Sequence, residues 1–160
     1  MNLSLVSTSK ASPPSDLELA AIVRAFHTAR VLVIGDVILD RYVTGSVHRL
    51  SPEAPIPVLR PADNRCTLGG AANVALNIAT LGGEATLVGV VGNDPAGDEV
   101  ERLVSTTPGI TSGLVRIAAR PTTSKTRFMT GSHQVLRLDE ETTVPLDQAG
   151  LLAVMEAVER

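Results

Sequence analysis

Aromatic side chains are nearly absent from this sequence, which has two Phe, one Tyr and no Trp among 160 residues. A core must then be assembled from Val, Leu, Ile and Ala, as happens where strands are buried on both faces by helices. The shortage also removes the rings on which single-stranded bases stack. A formal net charge of −3 offers no basic excess for nucleic acid. The single cysteine, Cys66, excludes an intrachain disulfide and any multi-cysteine metal site, and it fits a reducing cytoplasm. No apolar run reaches the ~20 residues of a membrane span. Met1 to Pro14 has one Lys and no sustained apolar run, so it does not read as a secretory signal. Neither a G-x-G-x-x-G fingerprint nor a G-x-x-x-x-G-K-S/T loop occurs, which disfavours a dinucleotide-dependent oxidoreductase.

What is present is a globular composition, 44% hydrophobic and 19% charged, of a length that suits one domain. Residues 1–15, rich in Ser, Thr and Pro, read as a disordered tail. Ser15 or Asp16 then caps a helix expected from Leu17 to Ala29, with apolar residues at helical spacing. Val31-Leu32-Val33-Ile34-Gly35 reads as a buried parallel strand. Pro52, Pro55, Pro57 and Pro61 rule out a helix between Tyr42 and Arg65, and leave a small exposed β-element on edge strands. Gly69-Gly70 opens a helix to about Leu81, Ala85 to Val91 returns as a strand, and Asp94-Pro95 starts a helix to about Val104. Short strands follow at Gly113–Ile117, Lys125–Met129 and Gln134–Leu138, and an amphipathic helix runs from Leu146 to Arg160. This alternation indicates an α/β layered fold. Such sheets bind ligands beyond the carboxyl ends of their strands.

Three groups of residues can carry chemistry. Asp36 and Asp40 are expected in the loop after the first strand, where carboxylates accept hydrogen bonds from sugar hydroxyls. The same spacing fits a turn in which one Asp caps local backbone. Gly69-Gly70-Ala71-Ala72-Asn73 lets backbone approach a ligand and offers helix-start N–H groups, with Asn73 on the first turn. It also fits a plain glycine-rich helix start, and as an isolated pattern it is a weak signal. Lys125 and Arg127, two apart, share a strand face and with Gln134 and Arg137 could hold a phosphate. Sequence alone favours a solvated edge strand there. His27, His48 and His133 have no spacing that suggests a metal or a triad.

The ordered set VLVIGDVILDRYVTG, RLSPEAPIPV, LGGAANVALNIATLGG and TSKTRFMTGSHQVLRLDEE resembles the ribokinase (PfkB) family of carbohydrate kinases. Within it, SPEAPIPV is similar to the heptose 7-phosphate kinase branch, which is often fused to an adenylyltransferase. The resemblance covers Val31 to Glu141. It implies a ribokinase-like layered fold, incomplete, with a small β-lid at about residues 42–65 that often forms a dimer contact. It implies that Asp40, with Asp36, holds substrate hydroxyls, that Gly69 and Gly70 are the hinge of the lid, and that Asn73 binds substrate. Lys125, Arg127, Gln134 and Arg137 then face a sugar phosphate.

Family enzymes use ATP and Mg²⁺ to phosphorylate a sugar hydroxyl, here the anomeric hydroxyl of a heptose 7-phosphate bound for lipopolysaccharide. Their anion hole and catalytic Asp, in a Gly-Ala-Gly-Asp type motif, have no counterpart before Arg160. The expectation is an N-terminal part, residues 16–160, that is cytoplasmic and lacks catalytic residues. It would bind neither ATP nor Mg²⁺ fully and would be inactive alone. The competing expectation is a non-catalytic remnant that binds sugar or pairs through its lid.

Overall fold

The β-branched run at Val31–Ile34 forms a strand, β1 (Arg30–Ile34), stopped by Gly35. In the computed structural model, which describes residues 13–160, it is preceded by helix α1 (Asp16–Arg24) and a 3₁₀ turn at Ala25–Thr28. Of the tail expected over 1–15, residues 1–12 lie outside the described residues. Ser15 is already structured, as the N-cap of α1. The single helix expected to Ala29 therefore ends at Arg24, and its last turn tightens.

Two strands of equal length follow, β2 (Val37–Leu50) and β3 (Pro57–Gly70), then helix α2 (Ala71–Thr80) and strand β4 (Glu84–Val91). Helix α3 (Pro95–Ser105), strands β5 (Ile110–Arg116), β6 (Ser124–Thr130) and β7 (His133–Glu140), and helix α4 (Gln148–Glu159) complete the order. The strands make two sheets. One is parallel and three-stranded in the order β1-β4-β5; the other is four-stranded in the order β3-β2-β6-β7. The β-element expected to be small is in fact a 14-residue pair of strands inside this second sheet. Pro57 and Pro61 lie on β3, an edge strand, where a missing N–H is tolerated.

The core forms where the two sheets meet. Val33, Ala85, Leu87 and Val91 of the parallel sheet pack with Ala72 and Ala75 of α2 and Val100 and Val104 of α3. Val37, Leu39 and Leu68, at the root of β2 and β3, join the same cluster. The buried apolar residues among those described are all Val, Leu or Ala, as the aromatic shortage requires. Helix α4 lies against β4 and β5 on the other side, lining clefts with Thr86, Val90 and Gly113. The root of the second sheet is thus fixed to the first, and its far end extends away from the core.

Candidate functional site

Between β1 and β2 there are only two residues, Gly35 and Asp36. The Asp36 carbonyl accepts a hydrogen bond from Ala71 N–H at 2.8 Å, which satisfies one orphan donor of α2. Gly70 makes this junction feasible. Its φ of +56° is one that L side chains rarely adopt, and a Cβ there would collide with the Asp36 carbonyl. Asp36 is exposed and lines an open cleft with Ile34, Arg120, Thr123, Leu146 and Val154. Asn73, on the first turn of α2, is exposed.

Asp40 is not in that loop. It is the fourth residue of β2, half-buried, and it is not among the residues lining the cleft at Asp36. The expectation of two carboxylates on one loop is therefore corrected. Val37-Ile38-Leu39 continues as strand because Val37 and Leu39 are wanted in the core, so Asp40 is carried onto the opposite face. There its Oδ1 accepts a hydrogen bond from Arg127 Nη1 at 2.5 Å. Gly69 lies beside it, and a Cβ at that position would overlap the Asp40 carboxylate.

The register then gathers one polar face. Asp40 is opposite Lys125, Tyr42 is opposite Arg127 and Arg65, and Arg127 and Lys125 are opposite Arg137 and Asp139. Lys125 Nζ bonds Asp139 at 3.0 Å and Glu141 at 3.1 Å, and Arg137 holds Asp139 through Nε and Nη2 at 2.8 and 2.9 Å. Asp139 and then Glu141 raise the Lys125 ammonium above its ordinary range, and Asp40 does the same for Arg127. Arg137 and then Lys125 hold the Asp139 carboxyl below its usual range. The guanidiniums of Arg65 and Arg127 stand 5.0 and 5.2 Å from the Tyr42 ring centroid, within cation–π reach. Gln134 is opposite Met129, past a register shift near the exposed end of the β6–β7 hairpin.

Lys125, Arg127 and Arg137 thus share a face with Asp40, as pairs rather than as an open cationic strip. Sequence reasoning missed Tyr42, Arg65, Asp139 and Glu141. The period of two that put Lys125 with Arg127 would also have put Tyr42 with Asp40, and Asp139 with Arg137. Among the described residues no group of three or more His, Cys, Asp or Glu is placed to hold a metal ion.

Comparison with known proteins gives the arrangement a lineage. The family described as pfkB family carbohydrate kinase matches residues 28–159. The chain is 50% identical over 142 residues to the bifunctional protein HldE of Caulobacter sp. strain K31, covering 89% of this chain and 29% of that protein. It is 49% identical over 129 residues to the bifunctional protein HldE of Rhodospirillum rubrum, covering 81% and 26%. The chain therefore spans under a third of the length of these curated relatives. Among solved structures, a carbohydrate kinase from Agrobacterium tumefaciens superposes with a TM-score of 0.57 at 23% identity, over 69% of this chain and 35% of that one. Phosphofructokinase-2 from Escherichia coli gives 0.61 at 22% identity, over 81% and 40%. The fold is ribokinase-like, and the chain belongs to the pfkB family of carbohydrate kinases.

Proposed function

We propose that this chain is the acceptor-binding part of an ATP-dependent kinase that phosphorylates D-glycero-β-D-manno-heptose 7-phosphate at C1, on the route to ADP-heptose and lipopolysaccharide core. The observation that carries this reading is the meeting of Asp40, Gly69 and Arg127, three parts of the sequence brought to one point by sheet register. In this reading Asp40 accepts hydroxyl hydrogen bonds, supported by Gly69, Gly70, Asn73 and Asp36. Lys125, Arg127, Arg137 and Gln134 receive the phosphate, whose oxygens compete with Asp139 and Glu141 for the same cations. Tyr42 holds two guanidiniums within cation–π reach on the same face.

The long strands β2 and β3 serve as the lid over residues 42–65, with Gly69-Gly70 as its root, and the lid pairs two copies. The place of action is the cytoplasm. ATP with Mg²⁺ would supply the phosphoryl group in the full-length enzyme. In this reading the 160-residue chain, which has no Gly-Ala-Gly-Asp type motif, binds acceptor and does not transfer phosphate. A second reading, a sugar-binding or dimerising remnant, is favoured by exposed Val135, Leu136 and Leu138 on the edge strand β7.

A thermal-shift titration of the purified chain tests the acceptor-binding reading. Stabilisation by heptose 7-phosphate and none by ATP–Mg²⁺ is the expected result, since a ligand of the folded state raises its midpoint. Robust ATP-dependent turnover would overturn the inactive-alone reading, and no response to the sugar phosphate would overturn the binding reading.

A further inference from the structure

The segment Gly92-Asn93-Asp94-Pro95-Ala96-Gly97 does more than start a helix. Asp94 is the N-cap of α3, and its Oδ1 accepts Gly97 N–H at 2.8 Å. That bond alone is an ordinary cap. The other carboxylate oxygen, Oδ2, accepts Thr122 N–H at 2.8 Å, from a residue 28 positions later on the loop between β5 and β6. Thr122 is 2% exposed, and its hydroxyl oxygen accepts Gly92 N–H at 2.7 Å, which closes a ring of contacts. Both glycines are required by the close approach. A Cβ at Gly92 would strike the Arg120 carbonyl and Asp94 itself, and one at Gly97 would strike the Gly92 carbonyl. Burial pushes the Asp94 carboxyl up, but N–H groups of Thr122 and Gly97 pull harder and leave it below its usual range. It therefore stays an acceptor for two donors at neutral pH.

What this knot holds is the start of β6. The residue after Thr122, Thr123, accepts Leu39 N–H at 2.9 Å, and Ser124 is registered opposite Leu39. Asp40 is then opposite Lys125, and Arg127 reaches Asp40 from two residues on. One side of the loop also lines the cleft beside Asp36, through Arg120, Pro121 and Thr123. A slip of this loop moves the two candidate cations and the cleft wall together. We propose that Asp94 is a positioning residue that fixes the Arg120–Thr123 loop, and through it the placement of Lys125 and Arg127 against Asp40. The ligand is a sugar phosphate, so its binding arm rests on the function proposed above.

Two variants separate capping from positioning. Asp94→Ser keeps a side-chain oxygen for Gly97 but cannot span to Thr122, and Asp94→Asn keeps the size while turning an N–H₂ towards a donor. Hydrogen exchange is read at Leu39 and Ser124–Thr126, and calorimetry measures heptose 7-phosphate binding. The expected result in both variants is faster exchange at those amides, with α4 unchanged. Affinity is expected to fall about tenfold or more, the scale of a lost hydrogen bond to a charged group. Unchanged exchange at Leu39 and Ser124–Thr126 in a folded variant overturns the proposal, as does failure of both variants to fold, which would make Asp94 a scaffold residue only. If the unmodified chain binds no sugar phosphate, the function reading fails separately, and exchange alone decides the role of Asp94.

Discussion

Asp40 and Arg127 form the pair on which the proposed site depends, and their energetics follow from burial. Their side chains are 19% and 23% exposed, so each is largely desolvated. Removing one partner leaves the other's charge unpaired in that setting, which costs more than the pair contributes net. Asp40→Ala and Arg127→Met are each expected to destabilise the chain by about 1–3 kcal/mol. The double variant should cost clearly less than the sum, because neither charge is left behind. Urea unfolding of the two single variants and the double checks this; strict additivity would mean that the pair is not coupled. Asp40 was legible in the sequence as a candidate, but its location was not. A run of Val37-Ile38-Leu39 before Asp40 looks the same whether it closes a loop or continues a strand. Only the core contacts of Val37 and Leu39 decide it. Its partner Arg127 lies 87 positions away, and no local spacing predicts a register across that distance.

Among the elements, those whose signals are local were the most readable. Asp94-Pro95 marks the start of α3, Gly69-Gly70 immediately precedes α2, and β4, β6 and β7 lie within a few residues of their expected bounds. The second sheet was under-read because its long strands carry prolines, glycines and charges that individually argue for loop. They are held by a ladder that the sequence does not display. Helix α1 shows the converse. It has a complete capping box between Ser15 and Glu18, yet it buries no residue, so its local signal is strong and its packing absent. The β6–β7 hairpin has a pH signature of its own. Asp139 is held below its usual range by Arg137 and then Lys125. A carboxyl depressed in the folded state adds stability above its unfolded value, near pH ~4, and gives it up as pH falls through its lower folded value. The urea midpoint is expected to drop as pH is lowered below ~4, and Asp139→Asn should make that drop shallower. Equal slopes for the two proteins would show that the hairpin ion pairs do not stabilise the fold. Arg137 and Glu141, the outer members of this network, are close to half exposed, which makes the effect modest and sensitive to salt.

For the whole molecule, the decisive feature is how little covers β1. This strand pairs with β4 on one side only, so among the described residues its other edge has no ladder partner. Its side chains would suit the middle of a sheet, yet Val31, Leu32 and Ile34 are 39, 46 and 54% exposed. On α4, Leu151, Leu152, Met155 and Val158 also face outward, each more than a third exposed. Relatives of which this chain spans 29% have a great deal more polypeptide with which to cover such surface. In the chain alone, an apolar unpaired edge is a template for association with another copy. Ile34→Lys tests this directly. The side chain is already half in water, so the stability change should stay within about 1 kcal/mol, the range of surface substitutions. A charge on the strand should at the same time suppress edge-to-edge pairing. Sedimentation velocity across a concentration series should show the parent chain growing in mass with concentration and the variant staying at one mass. If the parent is itself monodisperse, β1 is not an association edge. If Ile34→Lys unfolds the chain, the strand is buried in solution by contacts beyond those described.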